Sequence, residues 1–148
     1  MAFWYDPDCL VGNMENFKIS KNRSDIDLDV LYDYLSLQSY WGKGRSRQTI
    51  EKSVQNSVCY CGLLDGRFIG FARIISDHAT FAYLADFFIL PQFQKRKFGS
   101  TMLESILEDT DKEGLRVYLL TEDGHEFFNK FGFAQDDVLL HWIMRKNI

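Results

Sequence analysis

The chain has 148 residues, 46% of them hydrophobic and 16% aromatic, with a formal net charge of −4. That length and apolar content predict one folded domain over 1–148 with a proper core, and exclude a disordered segment. The acidic balance argues against a general nucleic-acid binder, so any basic cluster is a local device.

In chain order, residues 1–14 come first as an extension with no predicted element. They carry Asp6 and Asp8 and no basic residue ahead of their apolar ones, unlike a secretory signal. Residues 15–20 alternate as a first strand. Residues 24–38 read as a helix capped by Ser24, with Ile26, Val30, Leu31, Tyr34 and Leu35 at helical spacing. A loop over 39–46 holds two glycines and two cations, and residues 47–57 form a short second helix.

Asp65-Gly66 between two apolar runs is a two-residue hairpin signal, and residues 80–90 add a third consecutive strand. Cys59 and Cys61 lie two apart in the first of these strands and so face the same way. With Cys9 they make an odd set without metal-type spacing, so free thiols in a reducing, cytoplasmic setting are expected, with no metal. No apolar stretch approaches bilayer-spanning length, which implies no membrane partner.

A helix from Gly99 to Leu107 follows, with Met102, Leu103, Ile106 and Leu107 on one face. Next come a strand over 115–121, a short helix over 123–131 and a last strand over 138–146. The order β-α-α-β-β-β-α-β-α-β belongs to the α/β class: a mixed, mostly antiparallel central sheet with helices on both faces.

Two features of this order bear chemistry. Asp86 interrupts the apolar third strand. Strict alternation puts Phe81, Tyr83, Ala85, Phe87 and Ile89 on one face and Leu84, Asp86 and Phe88 on the other. A carboxylate there is costly unless paired, hydrogen-bonded or protonated, so Asp86 either lines a cleft or is tied to a neighbour such as Arg73. Secondly, Lys95, Arg96 and Lys97 stand at a helix start, where the peptide dipoles already concentrate positive charge. Either they splay into water, or strand, loop and helix N-terminus together hold an anion, for which a diphosphate has the right shape. The loop lacks the GxxxxGK[ST] and GxGxxG patterns, and the antiparallel strands before it exclude a Rossmann unit.

The stretch ADFFILPQFQKRKFGSTMLESIL resembles the acetyl-CoA-binding segment of the GNAT acyltransferase superfamily, through Pro91, Gln94 and Gly99. EFFNKFGF (126–133) is similar to a later family segment, and the element order is also the family's. Residues 39–46 and 79–86, with their Tyr-Trp, Gly-Arg-Ser and Ala-Thr-Phe-Ala-Tyr-Leu-Ala-Asp runs, resemble a bacterial subgroup. Two positions depart from the pattern: Lys97 replaces the first motif glycine, and Phe128 stands where many members carry a tyrosine general acid.

The resemblance implies an N-acetyltransferase that moves acetyl from acetyl-CoA to a primary amine by direct attack on the thioester. Main chain at Phe87, Phe88 and Ile89 would hold the pantetheine arm and supply the oxyanion donor. Gln94, Lys95, Arg96, Lys97, Phe98, Gly99 and Ser100 would wrap the pyrophosphate, and Thr121 would touch the cofactor. Asp86 is the expected base, directly or through water, with His125 and Tyr118 as candidate acids. Tyr40, Trp41, Arg45 and Tyr83 would bound the pocket of a small-molecule or peptide amine, and a homodimer is a common outcome of the fold. A non-catalytic acyl-CoA-binding or regulatory module is the alternative, and nucleic-acid contact through the basic cluster a third, disfavoured by the net charge.

Overall fold

The computed structural model describes residues 16–135; the expected last strand at 138–146, the extension 1–14 and Cys9 lie outside them. Among the described residues, five strands form one sheet in the order β1-β2-β3-β4-β5. They are β1 (Phe17–Ser20), β2 (Val58–Leu64), β3 (Arg67–Ser76), β4 (Phe81–Ile89) and β5 (Arg116–Tyr118). The first four pair antiparallel, and β5 joins β4 in parallel. Asp65 and Gly66 both take positive φ, the geometry a two-residue β2–β3 hairpin requires.

The α-helices among the described residues are α1 (Leu28–Tyr32), α2 (Arg47–Gln55), α3 (Phe98–Lys112) and α4 (His125–Asn129). Two apolar layers flank the sheet, as the α/β reading requires. On one side α3 sends Phe98, Met102, Leu103 and Ile106 against Ile69, Ala72, Ile74 and Leu84. On the other, Leu31 and Leu35 pack with Ile50 and Val54 of α2 against Cys61, Phe71 and Phe88. Cys59 and Cys61 are both buried free thiols on this second side. No helix among the described residues is long and apolar enough to cross a membrane.

The expected helix over 24–38 is not one continuous α-helix. Asn22 caps a 3-10 turn at Arg23–Asp25, and Asp27, not Ser24, caps α1 by accepting from the N–H groups of Asp29 and Val30. After Tyr32 the chain widens into π-helical turns over Asp33–Gln38. A run of acids offers competing side-chain acceptors here, so the cap falls where one carboxylate reaches two free N–H groups. The helix α3 runs five residues beyond the expected Leu107, whereas β5 is shorter than the expected 115–121.

The alternation expected for β4 is corrected by a bulge. Asp86 takes φ 53, and the register with β3 slips between Phe71 and Arg73. An extra residue in one strand inverts the facing of everything after it. Ala82 and Leu84 therefore face α3 before the bulge, and Ile89 does so after it, while Phe88 faces α1. Leu84 and Phe88 thus lie on opposite faces. Aspartate is among the few side chains that tolerate this left-handed backbone, which suits it to the bulge.

Candidate active site

The bulge is also where the sheet opens. The parallel pairing of β4 with β5 covers only Phe81 with Arg116, Ala82 with Val117 and Tyr83 with Tyr118. Beyond Tyr83 the edge of β4 has no strand partner on that side among the described residues. Along this edge Phe87 packs on the aromatic rings of α4, 5.8 Å from Phe127 and 5.7 Å from Phe128, ring centre to ring centre. A gap with exposed main-chain donors and acceptors on one side accepts an extended chain in the manner of an added strand.

At the end of β4 the chain makes a 3-10 turn over Pro91–Phe93 and enters α3 through Gln94, Lys95, Arg96 and Lys97. The Gln94 amide donates to the Ile89 carbonyl at 2.9 Å and so ties the loop back to the strand. Lys95 (φ 61) and Lys97 (φ 65) are both left-handed, and Lys97 is the residue that caps α3. Among the described residues, no backbone hydrogen bond is made by the N–H of Lys95, Lys97, Phe98, Gly99 or Ser100. Five donors without a backbone partner among the described residues, with three exposed cations around them, can hold a polyanion. Phe98 anchors this start, stacking near Phe17 at 4.5 Å with the Arg96 guanidinium 5.0 Å over its ring. A methyl at Gly99 would sit in ordinary van der Waals contact with Ile89 and Phe127, both at 3.7 Å.

On the α1 side of the bulge, four hydrogen bonds converge on Asp86, whose side chain is 1% exposed. Arg73 Nε reaches Oδ2 at 2.6 Å, Arg45 Nη1 reaches both oxygens at 2.9 Å, and Trp41 Nε1 reaches Oδ1 at 3.0 Å. Arg73 also donates to Ser57 Oγ at 3.2 Å. The expected tie of Asp86 to Arg73 is present, and Arg45 and Trp41 add to it. Its oxygens are already committed to donors, so this geometry fits orientation better than proton abstraction.

The loop over 39–46 is thus fastened to β4 through Trp41 and Arg45. Its other fastening is Tyr40, whose hydroxyl donates to Asp123 Oδ1 at 3.2 Å and accepts from the Glu122 N–H at 3.0 Å. At its root, the Ser36 hydroxyl donates to the Arg45 carbonyl at 2.8 Å. Gly42 passes so close to helix end that a Cβ there would stand 2.7 Å from the Leu35 carbonyl oxygen. The structure brings Tyr40, Trp41, Arg45, Tyr83 and Asp86 to one side of the opening.

The remaining expected residues take the following places. Thr121 accepts from the Gly124 N–H at 2.8 Å and shapes the turn before α4. His125 is exposed at the first position of α4, and Tyr118 stacks on Phe81 at 5.2 Å. Phe128 is buried and meets Phe133 edge-on at 5.7 Å. Sequence reasoning placed Tyr34 only in the core stripe, yet it stacks on Phe88 at 4.0 Å and 22°. Burial raises its phenol pKa, with Asp123 and Tyr40 adding to the shift. Its helical spacing with Leu31 and Leu35 was the available signal, but spacing cannot separate a packed ring from a pocket wall.

Residues 28–133 match the acetyltransferase (GNAT) family model. A provisionally named acetyltransferase of Gibberella zeae is 32% identical over 131 residues, spanning 84% of this chain and 73% of that protein. A provisionally named acetyltransferase of the GNAT family from Xanthomonas campestris, known from its crystal structure, superposes with a TM-score of 0.83. It is 31% identical and matches over 88% of this chain and 93% of its own. A GNAT family acetyltransferase from Elizabethkingia anophelis with acetyl-CoA bound has a TM-score of 0.65 over 83% of this chain and 79% of its own; at 17% identity that likeness is one of fold.

Proposed function

The chain belongs to the GNAT acetyltransferase family, and from that premise we propose that it transfers acetyl from acetyl-CoA to a primary amine by direct attack on the thioester. The observation that carries this reading is the continuity of two features. The edge of β4 past Tyr83, which has no strand partner on that side among the described residues, runs into the loop whose N–H groups at Lys95 and Lys97 to Ser100 likewise make no backbone bond with a described residue. An extended arm ending in a pyrophosphate fits both.

Acetyl-CoA, when bound, supplies a thioester carbonyl open to attack. The chain's own residues then have four tasks. Lys95 to Ser100 neutralise and cradle the phosphates. Main-chain N–H groups on the free edge from Phe87 to Ile89 steady the negative charge that develops on the acetyl oxygen. Asp86, held by Arg45, Arg73 and Trp41, fixes the bulge and seats the acceptor loop; water carries off the amine proton. Tyr118, in the last β4–β5 pair at the head of the gap, is the proton donor to the departing sulfur in this reading. A thiol of ordinary pKa, about 8.5, leaves tolerably without strong acid help, so Phe128 at the tyrosine position is compatible with turnover.

The same contacts give a reason for the subgroup pattern. Trp41 and Arg45 from the SYWGKGRS loop both bind Asp86 of the ATFAYLAD strand. We place the chain among family members that carry both segments, since each segment supplies one half of this contact.

Amine-dependent release of free CoA across a broad amine panel tests the reading. Turnover is expected with at least one amine class. Tight acetyl-CoA binding with no amine-dependent release would move the assignment to a non-catalytic acyl-CoA-binding module, a reading that Phe128 favours.

A further inference from the structure

The two arginines on Asp86 are used differently. Arg73 is the deeper one, with its Nε on Asp86 and its Nη1 on Ser57. Arg45 meets both Asp86 oxygens through Nη1 alone, and its side chain is 29% exposed. Its Nε and Nη2 donate to no described residue. Those two N–H groups are the side-on edge of the guanidinium, the edge whose spacing matches the two oxygens of a carboxylate.

The surroundings favour an anion at that edge. Two positive groups face one carboxylate whose oxygens are all engaged, so the cluster offers donors and surplus positive charge but no free acceptor. Tyr83 adjoins it. Burial raises the Tyr83 phenol pKa, Asp86 raises it further, and Arg73 and Arg45 oppose, so its hydroxyl stays protonated as one more donor. A bare ammonium is repelled here and a carboxylate is drawn in. The other fastening of the same loop has the opposite character, with the Tyr40 hydroxyl bonded at Asp123 beside Glu122. One loop therefore spans a cationic anchor and an acidic one.

We propose that the acceptor is an amine that also carries a carboxylate, in the manner of an amino acid, and that Arg45 binds this carboxylate side-on. The inference rests on the acetyl-transfer reading above and adds the substrate class.

The test pairs amino acids with their carboxamides as acceptors, compared at equal free-base concentration. The carboxylate member is expected to have a kcat/KM at least about tenfold higher. Arg45→Gln brings that ratio near one, and Arg45→Lys restores part of it; the ratio is insensitive to general damage, which lowers both members alike. Equal use of both members, or a ratio unchanged in Arg45→Gln, overturns the inference while leaving acetyl transfer standing. If no amine turns over, the same amino acids are titrated calorimetrically into the protein–CoA complex. Binding that Arg45→Gln abolishes supports the carboxylate site and refutes acetyl transfer; no binding of any amino acid overturns the site.

Discussion

Arg73 and Asp86 are joined at 2.6 Å across the β3–β4 register slip, so the bulge that opens the sheet and the ion pair that steadies it share one residue. A buried carboxylate costs several kcal/mol unless its partners are in place. Here three partners come from two places: Arg73 on the neighbouring strand, and Arg45 and Trp41 on the loop over 39–46. Backbone shape and loop position are consequently coupled through one side chain.

Asp86→Asn keeps a side chain that tolerates positive φ but removes the charge between two guanidinium groups. A stability loss of about 3 kcal/mol is expected, the order found when one member of a buried pair is removed. Turnover should fall more than acetyl-CoA affinity, because the phosphate loop is a separate element. Urea unfolding and steady-state kinetics on the same preparation check both. An unchanged rate would remove Asp86 from the mechanism.

Lys97→Gly addresses the departure from the family pattern. Lys97 stands at φ 65, where a side chain costs about 1 kcal/mol and glycine nothing. Glycine also gives up more freedom on folding, so net stability should move by less than about 1 kcal/mol. Acetyl-CoA affinity is expected to stay or tighten, as the unpaired N–H at that position survives the change. A large loss in a calorimetric titration would show that the ammonium itself grips a phosphate.

The elements that sequence revealed are those set by local pattern. Asp65-Gly66 could form only a tight hairpin, and the α3 stripe of Met102, Leu103 and Ile106 could face only a core. The basic run at 95–97 stood out in the sequence because charge at a helix start conflicts with the dipole, and the anion site proposed there starts from that conflict. What stayed hidden depended on the tertiary fold. The inversion at Asp86 was invisible to alternation, since alternation assumes an unbroken register. Arg45 and Trp41 lie some forty residues before Asp86, and no spacing rule links them. The left-handed shape of Lys97 was likewise concealed, because lysine carries no signal for positive φ.

Tyr40→Phe separates loop position from loop stability. The change removes one bond to Asp123 and one from the Glu122 N–H, on a ring that is 46% exposed. Exposed hydrogen bonds of this kind contribute about 0.5–1.5 kcal/mol, so the protein stays folded. The acceptor KM should rise several-fold while acetyl-CoA affinity holds. Equal effects on both ligands would mean that Tyr40 supports the whole opening rather than the acceptor side alone.

Cys61 predicts an alkaline limit to stability. Burial pushes its thiol up from the ordinary 9.0 to about 12, with Cys59 and Asp25 adding to the shift. Because the folded pKa is the higher one, the thiol's contribution is complete below pH 9 and is lost as pH rises from 9 towards 12. Across that window one titrating group changes the unfolding free energy by about 1.4 kcal/mol per pH unit. Cys61→Ala should therefore flatten the decline between pH 9 and 11 by about that slope, whatever its cost at neutral pH. The Tyr60 phenol is also raised, chiefly by burial and then by its bond to Asp109, and its share, which begins near pH 10, remains in the variant. Denaturant titrations at stepped pH measure the slope, and alkylation at pH 8 supplies a second reading, since a fully buried thiol reacts only when the protein opens. Rapid labelling of native Cys61, or an unaltered alkaline slope in Cys61→Ala, would contradict the burial that places this thiol behind α1.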